Sequence, residues 1–424
     1  MKIWMSVIAI LSITLPLAAQ DIEYRPRKKD PVLEELKAAN RKADEAMKEK
    51  RLQHEAALKQ EKEENPAKRL WALFDGVQIP ESPDSFQRIP HLPPVAQYLT
   101  GTCWSFSTTS FMESEVLRIH RKELKLSEIH TVYYEYIEKV RRWVREYGHS
   151  EFGQGSEPDA LLEIWRQYGV VPASVYNGLT PENPRHNHDR LFDELEGYLN
   201  YVKEHDLWYE DTILTQVRSI LNQHLGTPPV SFEYDGKRYT PETFRDQVVN
   251  LNLDDYVPFC SFEYAPFWTT CEFKVPDNWR HSAVWHNVPL DVFYGTLKHA
   301  VESGYSISIG GDVSEPGYDG TMDAAFIPTF DIPEAFINQD AREFRFANRT
   351  TTDDHLIHIV GRTIMDNHDW YLVKDSARSA RKGRFDGYLF YRGDYIKLKM
   401  LVYLVHRDAV DPDVLARFDQ AVTD

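Results

Sequence analysis

The chain has 424 residues and a formal net charge of -17 at pH 7, a length that allows one large domain or two to three ordinary ones. Its hydrophobic share of 42% and aromatic share of 13% are those of a globular protein rather than a disordered or fibrous one. A protein that binds a phosphate backbone needs a basic face, so the acidic balance argues against nucleic acid and anionic membrane as partners.

The first 19 residues have the pattern of a secretory signal. Lys2 precedes an apolar run over residues 3–15, and Ala18 and Ala19 offer a cleavage point. The run is shorter than the roughly 20 apolar residues that a membrane-spanning helix needs, and no stop-transfer segment follows it. We therefore expect residues 1–19 to be removed and the protein to be exported, either to a periplasm or out of the cell, with no membrane span left. An uncleaved amino-terminal anchor is the alternative.

Residues 20–84 differ in composition from the rest of the chain. Between residues 31 and 68, helix formers and opposite charges at helical spacing dominate, but the apolar stripe is thin. This pattern predicts a charged helix that could be a solvated linker, a coiled-coil or docking element, or a regulatory prosegment. Five prolines over residues 75–94 predict an extended lead-in to a folded domain, which we expect to span residues 85–424.

Within that domain the pattern changes from helical to β-rich. Apolar residues recur at intervals of three and four over three ranges: 104–147, 158–168 and 191–224. After Tyr305 there are short β-branched and aromatic runs separated by turn residues. The sequence therefore predicts an α+β fold with a helical lobe over about 95–300 and a β lobe over about 301–410.

Only three cysteines occur, so the chain is not a disulfide scaffold. The ten residues between Cys260 and Cys271 make these two the natural pair if any bridge forms, which leaves Cys103 as a free thiol. Gly101 and Thr102 place a small turn before Cys103, which opens a predicted helix. Amides at a helix start favour a thiolate, and a thiolate is the nucleophilic form of cysteine.

Gln97 stands six residues before Cys103, and Trp104 and the run Ser105-Phe106-Ser107 follow it. This arrangement resembles the active-site signature of papain-like cysteine peptidases. Further stretches are similar to the bleomycin hydrolase or aminopeptidase C branch of that family: Tyr168-Gly169-Val170-Val171-Pro172, Leu251-Asn252-Leu253-Asp254-Asp255-Tyr256-Val257, Val275-Pro276-Asp277-Asn278-Trp279 and Gly310-Gly311-Asp312-Val313.

The resemblance implies a two-lobed fold in which a helical lobe with insertions faces an antiparallel, β-barrel-like lobe across a cleft. It implies that the Cys103 amide and the Gln97 side chain would hold the oxyanion formed when the thiolate attacks a carbonyl. Gly155, in the run Gly153-Gln154-Gly155, would contact an extended peptide substrate through its main chain. It is equally consistent with an ordinary loop glycine.

The base beside the sulfur must be a histidine, and 16 are available. His355 begins an apolar run, which is where the family's base stands, whereas His358 lies three residues on and faces the opposite side of a strand. A predicted turn then returns the chain to Asp375, whose carboxylate could orient the imidazole. The family usually has asparagine at this position followed by a shielding tryptophan, and here Ala377 replaces the tryptophan. A weakened contact and impaired catalysis are therefore an alternative.

The sequence thus predicts an exported cysteine peptidase that acts through a Cys-His-Asp triad and a thioester intermediate. It requires no cofactor and no metal, because the pair His186 and His188 lies in a polar loop where solvated histidines are usual. Members of the branch assemble into rings, so a homo-oligomer is possible. The short segment after Phe418 predicts a truncated carboxy-terminal arm, which leaves aminopeptidase and endopeptidase action both open. The alternative function is a catalytically impaired binding or assembly protein of the cell envelope.

Overall fold

The computed structural model describes residues 30–64 and 70–421, and the predicted signal segment lies outside these residues. The chain divides into two compact units, Met1–Arg69 and Leu70–Asp424. The described part of the first unit is one helix, α1 (Pro31–Glu64), whose side chains over residues 31–50 are almost all exposed. Opposite charges one turn apart, such as Lys37 and Glu34, stabilise a helix that has little apolar surface to bury.

The second unit begins with a short strand, which is followed mainly by helices. The elements in chain order are β1 (Gln87–Arg88), α2 (Cys103–His120), α3 (Glu128–Arg145), α4 (Pro158–Tyr168), α5 (Asp189–Glu204), α6 (Glu210–Leu225), the hairpin β2 (Phe232–Tyr234) and β3 (Lys237–Tyr239), and α7 (Pro241–Phe244). The inward faces of these helices form one hydrophobic core, which is continued by Leu356 and Leu404 from the strands described next.

The rest of the unit is built around a large sheet. The elements in chain order are β4 (Tyr256–Cys260), β5 (Thr269–Cys271), β6 (Trp285–Asn287), α8 (Leu290–Glu302), β7 (Ile307–Gly311), β8 (Tyr318–Asp319), β9 (Ala324–Ala325), α9 (Gln339–Ala347), β10 (His355–Met365), β11 (His368–Lys374), β12 (Tyr388–Arg392), α10 (Gly393–Lys399), β13 (Met400–His406) and α11 (Pro412–Ala421). The spatial order is β5-β6-β4-β13-β7-β10-β11-β12-β9-β8, with β1 paired to β10. Most pairs are antiparallel, whereas β4 with β6 and β9 with β12 run parallel.

Two predicted boundaries differ from the structure. Residues 70–84 belong to the second unit, for example through the hydrogen bond from Ala72 N to Pro316 O, although the domain was predicted to begin at residue 85. The strands β4, β5 and β6 belong to the sheet but lie inside the range predicted as the helical lobe. They have only three to five residues and β4 contains Pro258, so they carry no clear alternation of apolar and polar positions.

The sulfurs of Cys260 and Cys271 lie 3.6 Å apart at the edge of this sheet, and both cysteines are free thiols here. The predicted proximity of the two residues is therefore present without a bridge. Among the described residues, no helix has both the length and the apolar character to cross a membrane.

Arg342 of α9 is a fully buried guanidinium that holds four backbone carbonyls at the ends of β4, α10 and β13. Its acceptors are the carbonyl oxygens of Ser261, Lys397, Met400 and Leu401. The contacts to Ser261, Met400 and Leu401 are buried, so these three carbonyls lose a donor that water cannot readily replace when Arg342 is removed.

We expect Arg342→Leu to lower the free energy of unfolding by at least about 3 kcal/mol, because several buried acceptors lose their hydrogen bonds. Chemical denaturation of the purified protein measures this. Phe344→Ala on the exposed face of the same helix is the control and should change stability by less than about 0.5 kcal/mol. Equal effects of the two substitutions would contradict the role assigned to Arg342.

Candidate active site

Cys103 is the first residue of α2, and its thiol is half-buried. The N-cap residue Thr102 makes no side-chain cap hydrogen bond, so the first helical amides are not satisfied by a cap. The turn before the cysteine is held from the side, because Gly101 N donates to Oε1 of Gln154 at 2.7 Å and Trp104 Nε1 donates to the Gln154 carbonyl at 3.1 Å. This arrangement presents the sulfur at the positive end of the helix.

His355 is the first residue of β10, and Asp375 directly follows β11. The two strands pair antiparallel, with His358 opposite Lys374, so the start of one strand meets the end of the other. Nε2 of His355 lies 2.7 Å from Oδ1 of Asp375, and the backbone N–H of Ala377 donates to the same oxygen at 2.7 Å. The predicted partners are thus hydrogen-bonded in the structure.

The sulfur of Cys103 is also near enough to act on this imidazole. Burial alone lowers the pKa of His355, but the charges of Asp375 and Cys103, with the hydrogen bonds that the imidazole donates to both, outweigh burial and raise the pKa well above its ordinary value. Since one ring nitrogen bonds to the carboxylate, the other is the one available to the thiol. The arrangement favours an imidazolium at His355, between the Asp375 carboxylate and the Cys103 sulfur.

The contact between His355 and Asp375 is closed to solvent although Ala377 stands where the family has a tryptophan. The two side chains are only 7% and 0% exposed, respectively. A buried ionic hydrogen bond is stronger than an exposed one, because water does not compete for the partners. The missing tryptophan was expected to let water weaken this hydrogen bond, but the two side chains are not exposed to water.

Gln97 joins the turn before Cys103 to the segment after Asp375. Its Nε2 donates to the Thr100 carbonyl at 2.7 Å, and its Oε1 accepts from the Ser376 hydroxyl at 2.6 Å. Its backbone N–H donates to the Ser376 carbonyl at 3.0 Å. A carboxamide nitrogen carries two hydrogens, so one hydrogen of Gln97 Nε2 is not used by the Thr100 carbonyl.

Gly155 lies in the segment that contacts the turn before Cys103, but its surroundings are more crowded than the sequence indicated. The buried ammonium of Lys139 donates to the Gly153 carbonyl at 2.7 Å and also to the carbonyl of Gly155. A Cβ at Gly155 would lie 1.9 Å from Oδ2 of Asp277, so a larger residue there would displace this carboxylate. One lone pair of the carbonyl is already used, and the contact of Gly155 with a peptide stays a prediction.

Other histidines take no part in this group. His358 Nδ1 is hydrogen-bonded to the Ser110 hydroxyl at 2.8 Å, and burial lowers its pKa well below the ordinary value. His186 and His188 are buried rather than solvated, so that part of the expectation is wrong; Phe106 packs on one and Tyr136 on the other. Within residues 30–64 and 70–421, no group of three His, Cys, Asp or Glu side chains could hold a metal ion.

Sequence reasoning missed three ionisable residues around this site: Lys139 and Glu157, which are buried, and Asp353, whose Oδ1 atom is buried. A lysine among the apolar positions of α3 was a signal for Lys139, because Tyr136, Val140 and Trp143 share its buried face. No local pattern marks the other two residues, since their burial depends on contacts between distant parts of the chain.

We expect Asp375→Asn to lower the pKa of His355, because the substitution removes the charge that stabilises the imidazolium. Nuclear magnetic resonance of histidine-labelled protein measures this titration. A raised folded-state pKa stabilises the fold fully below about pH 6.5 and loses that contribution as the pH rises through the folded value. The stability difference between the native protein and Asp375→Asn should therefore narrow at alkaline pH.

Asp193→Asn, an exposed substitution on α5, is the matched control and should leave the His355 titration unchanged. If Asp375→Asn and the control titrate alike, the carboxylate does not hold the imidazolium.

Comparison with known proteins adds relatives in sequence and in fold. The protein named Aminopeptidase C from Streptococcus thermophilus is 24% identical over 267 residues, covering 52% of this chain and 58% of that protein. Aminopeptidase C from Lactococcus lactis subsp. cremoris is 24% identical over 204 residues, covering 39% and 45%. The chain thus spans about half the length of the curated relatives it matches.

No protein-family model matches the chain. The crystal structure of PepW from Lactobacillus rhamnosis superposes with a TM-score of 0.63 at 18% identity, covering 81% of this chain and 86% of that one. Together with the two-lobed α+β architecture, these relatives confirm the resemblance inferred from the sequence: the chain has the papain-like fold and is similar to the aminopeptidase C, or bleomycin hydrolase, branch of the papain-like cysteine peptidases.

Proposed function

We propose that the protein is an exported cysteine peptidase that hydrolyses peptide bonds, with Cys103 as nucleophile, His355 as base and Asp375 as the group that orients the imidazole. The observation that carries the proposal is the buried His355–Asp375 hydrogen bond beside a cysteine at a helix start. A structural cysteine needs neither an accessible thiol nor an imidazole held by a carboxylate.

In this mechanism the Cys103 thiolate attacks the carbonyl carbon of the scissile peptide bond and forms a tetrahedral oxyanion. The amide of Cys103 and the free hydrogen of the Gln97 carboxamide donate to that oxygen. His355 then gives its proton to the leaving amine, the C–N bond breaks, and a thioester remains on the sulfur. Water, deprotonated by His355, attacks the thioester, releases the carboxylic acid and restores the resting pair.

The relatives are named aminopeptidases, which favours the removal of amino-terminal residues as the reaction of this protein. The same thioester chemistry would also cleave bonds inside a peptide, as an endopeptidase does. Export rests on the signal-like pattern of residues 1–19. Assembly into a homo-oligomer stays a prediction. The alternative, an impaired peptidase used for binding, is less well supported because the His355–Asp375 contact is buried and hydrogen-bonded.

We expect iodoacetamide to alkylate Cys103 rapidly below about pH 7, because a thiolate reacts and a thiol does not. Mass spectrometry of proteolytic fragments measures the rate at each cysteine separately. Cys260 and Cys271 are buried in the same protein and serve as internal controls that should react slowly until it unfolds. Cys103→Ala should abolish hydrolysis of fluorogenic peptides.

Alkylation of Cys103 at the rate of an ordinary free thiol, with no hydrolysis of any peptide, would overturn the peptidase proposal. It would favour the impaired, binding alternative.

We expect Gln97→Ala to lower kcat about 100-fold with little change in KM, because an oxyanion donor acts on the transition state more than on the bound substrate. Steady-state hydrolysis of a fluorogenic peptide measures both constants. Ser376→Ala removes only the hydroxyl that holds Gln97 Oε1, so it should lower kcat less than Gln97→Ala. A change confined to KM would assign Gln97 to substrate binding.

A further inference from the structure

Lys139 is a lysine in the interior of the helical lobe, on the face of α3 that also carries buried apolar side chains. It is only 1% exposed, and it forms no salt bridge with any carboxylate that the structure describes. Burial lowers its pKa to about 8, although Glu135 and Asp277 act in the opposite direction. Burying a lysine without an ion pair destabilises a fold, so its presence there needs another explanation.

The ammonium of Lys139 holds the backbone on both sides of Gln154. It donates to the Gly153 carbonyl at 2.7 Å and also to the carbonyl of Gly155. The carbonyl between these two, that of Gln154, accepts from Trp104 Nε1 of α2 at 3.1 Å. Rotation of either peptide plane next to Gln154 would therefore break a hydrogen bond to α3 or to α2. The lysine and the tryptophan together fix the backbone conformation at Gln154.

The same face of α3 also holds the end of this segment. Glu135 lies one helical turn before Lys139, so the two side chains point the same way. Oε1 of Glu135 accepts from the Ser156 hydroxyl at 2.6 Å, and the guanidinium of Arg280 balances its charge. Because Glu135 has its own cationic partner, the ammonium of Lys139 is available to the carbonyls.

The side chain of Gln154 carries this restraint to the nucleophile. Its Oε1 accepts from Gly101 N at 2.7 Å, and Gly101 lies two residues before Cys103. A Cβ at Gly101 would lie 2.9 Å from Cβ of Gln154, so the two segments are in close contact. The conformation of this turn decides where the Cys103 N–H and sulfur point. A chain of hydrogen bonds thus runs from Lys139 through Gln154 to the turn before the nucleophile.

We propose that Lys139 is a positioning residue for Cys103: its ammonium fixes the backbone of Gln154, and Gln154 in turn orients the turn that presents the sulfur and the oxyanion-binding amide. The inference rests on the proposed peptidase function and adds a residue of α3 to it. A small displacement of a nucleophile or an oxyanion donor lowers the rate strongly, because the transition state tolerates little misplacement. A charged donor suits this task, since its hydrogen bonds to carbonyls are stronger than those of a neutral donor.

Hydrogen exchange at the Gly101 amide tests the positioning without any peptide substrate. In protein with isotope-labelled glycine, nuclear magnetic resonance follows Gly101 and Gly226 in one spectrum. Gly226 N donates to the Asn222 carbonyl at 3.0 Å at the end of α6 and serves as the internal reference. We expect Lys139→Met and Gln154→Met each to speed exchange at Gly101 about 10-fold or more and to leave Gly226 unchanged, because only the local restraint is lost.

A double-mutant cycle on kcat shows whether the lysine acts through Gln154. We expect Lys139→Met and Gln154→Met each to lower kcat for a fluorogenic peptide about 10-fold to 100-fold, with a smaller change in KM. The double variant should be no slower than the slower single variant, because its second substitution removes a restraint that is already lost. Lys203→Met is the matched control and should keep the native kcat, because Lys203 is exposed and donates to the Gly148 carbonyl at 3.0 Å.

Reductions in kcat that multiply in the double variant overturn the proposal, and so does unchanged exchange at Gly101 in Lys139→Met. Equally faster exchange at Gly101 and Gly226 would mean a general loosening of the fold and would overturn it too. If Lys139→Met does not fold, Lys139→Gln keeps a neutral donor in the interior and should show smaller changes in the same direction. If the native protein cleaves no peptide, the peptidase proposal fails by itself, and exchange at Gly101 alone decides the role of Lys139.

Discussion

The packing of α2 against β10 is the contact on which the candidate site depends. The Ser110 hydroxyl bonds to Nδ1 of His358 at 2.8 Å, and the hydroxyls of Ser107 and Thr108 reach Ser308 on β7 at 3.0 and 3.1 Å. Small hydroxyl side chains let the helix approach the sheet closely and satisfy each other in the interior. The first residue of α2 is Cys103, and the first residue of β10 is His355. Because the helix and the strand are held together along their lengths, these two residues are held in place relative to each other. The proposed chemistry therefore follows from the way the two lobes pack.

Residues at the ends of locally recognisable elements could be placed from the sequence. Cys103 opens a helix after a small turn, and His355 and Asp375 stand at the start and end of strands joined by a short turn, so local rules bring them to one place. The strands between residues 256 and 287 could not be recognised, because their lengths and Pro258 leave no periodic signal. Their place in the sheet is decided by β13, a distant partner.

Burial of polar groups was the other property that local patterns did not disclose. The missing tryptophan beside Asp375 suggested an exposed His355–Asp375 contact, yet the surrounding packing excludes water from it. His186 and His188 stand in a polar stretch of sequence and are nevertheless buried. In each case the local composition is polar while long-range packing decides the solvent exposure, and with it the strength of each electrostatic contact.

Glu157 differs from the other buried carboxylates in having no cationic partner among the described residues. Glu135 accepts from Arg280, whose charge lowers its pKa against the effect of burial, and Lys125 and Lys399 reach Glu113 and Glu315. A buried carboxylate without a partner destabilises the fold, so supplying a cation is the usual solution. Glu157 has no such cation within the part of the chain that the structure describes. Burial, together with the neighbouring Asp353 and Asp277, raises the pKa of Glu157 well above its ordinary value. The fold therefore keeps this carboxyl in the interior by protonating it rather than by pairing it with a cation.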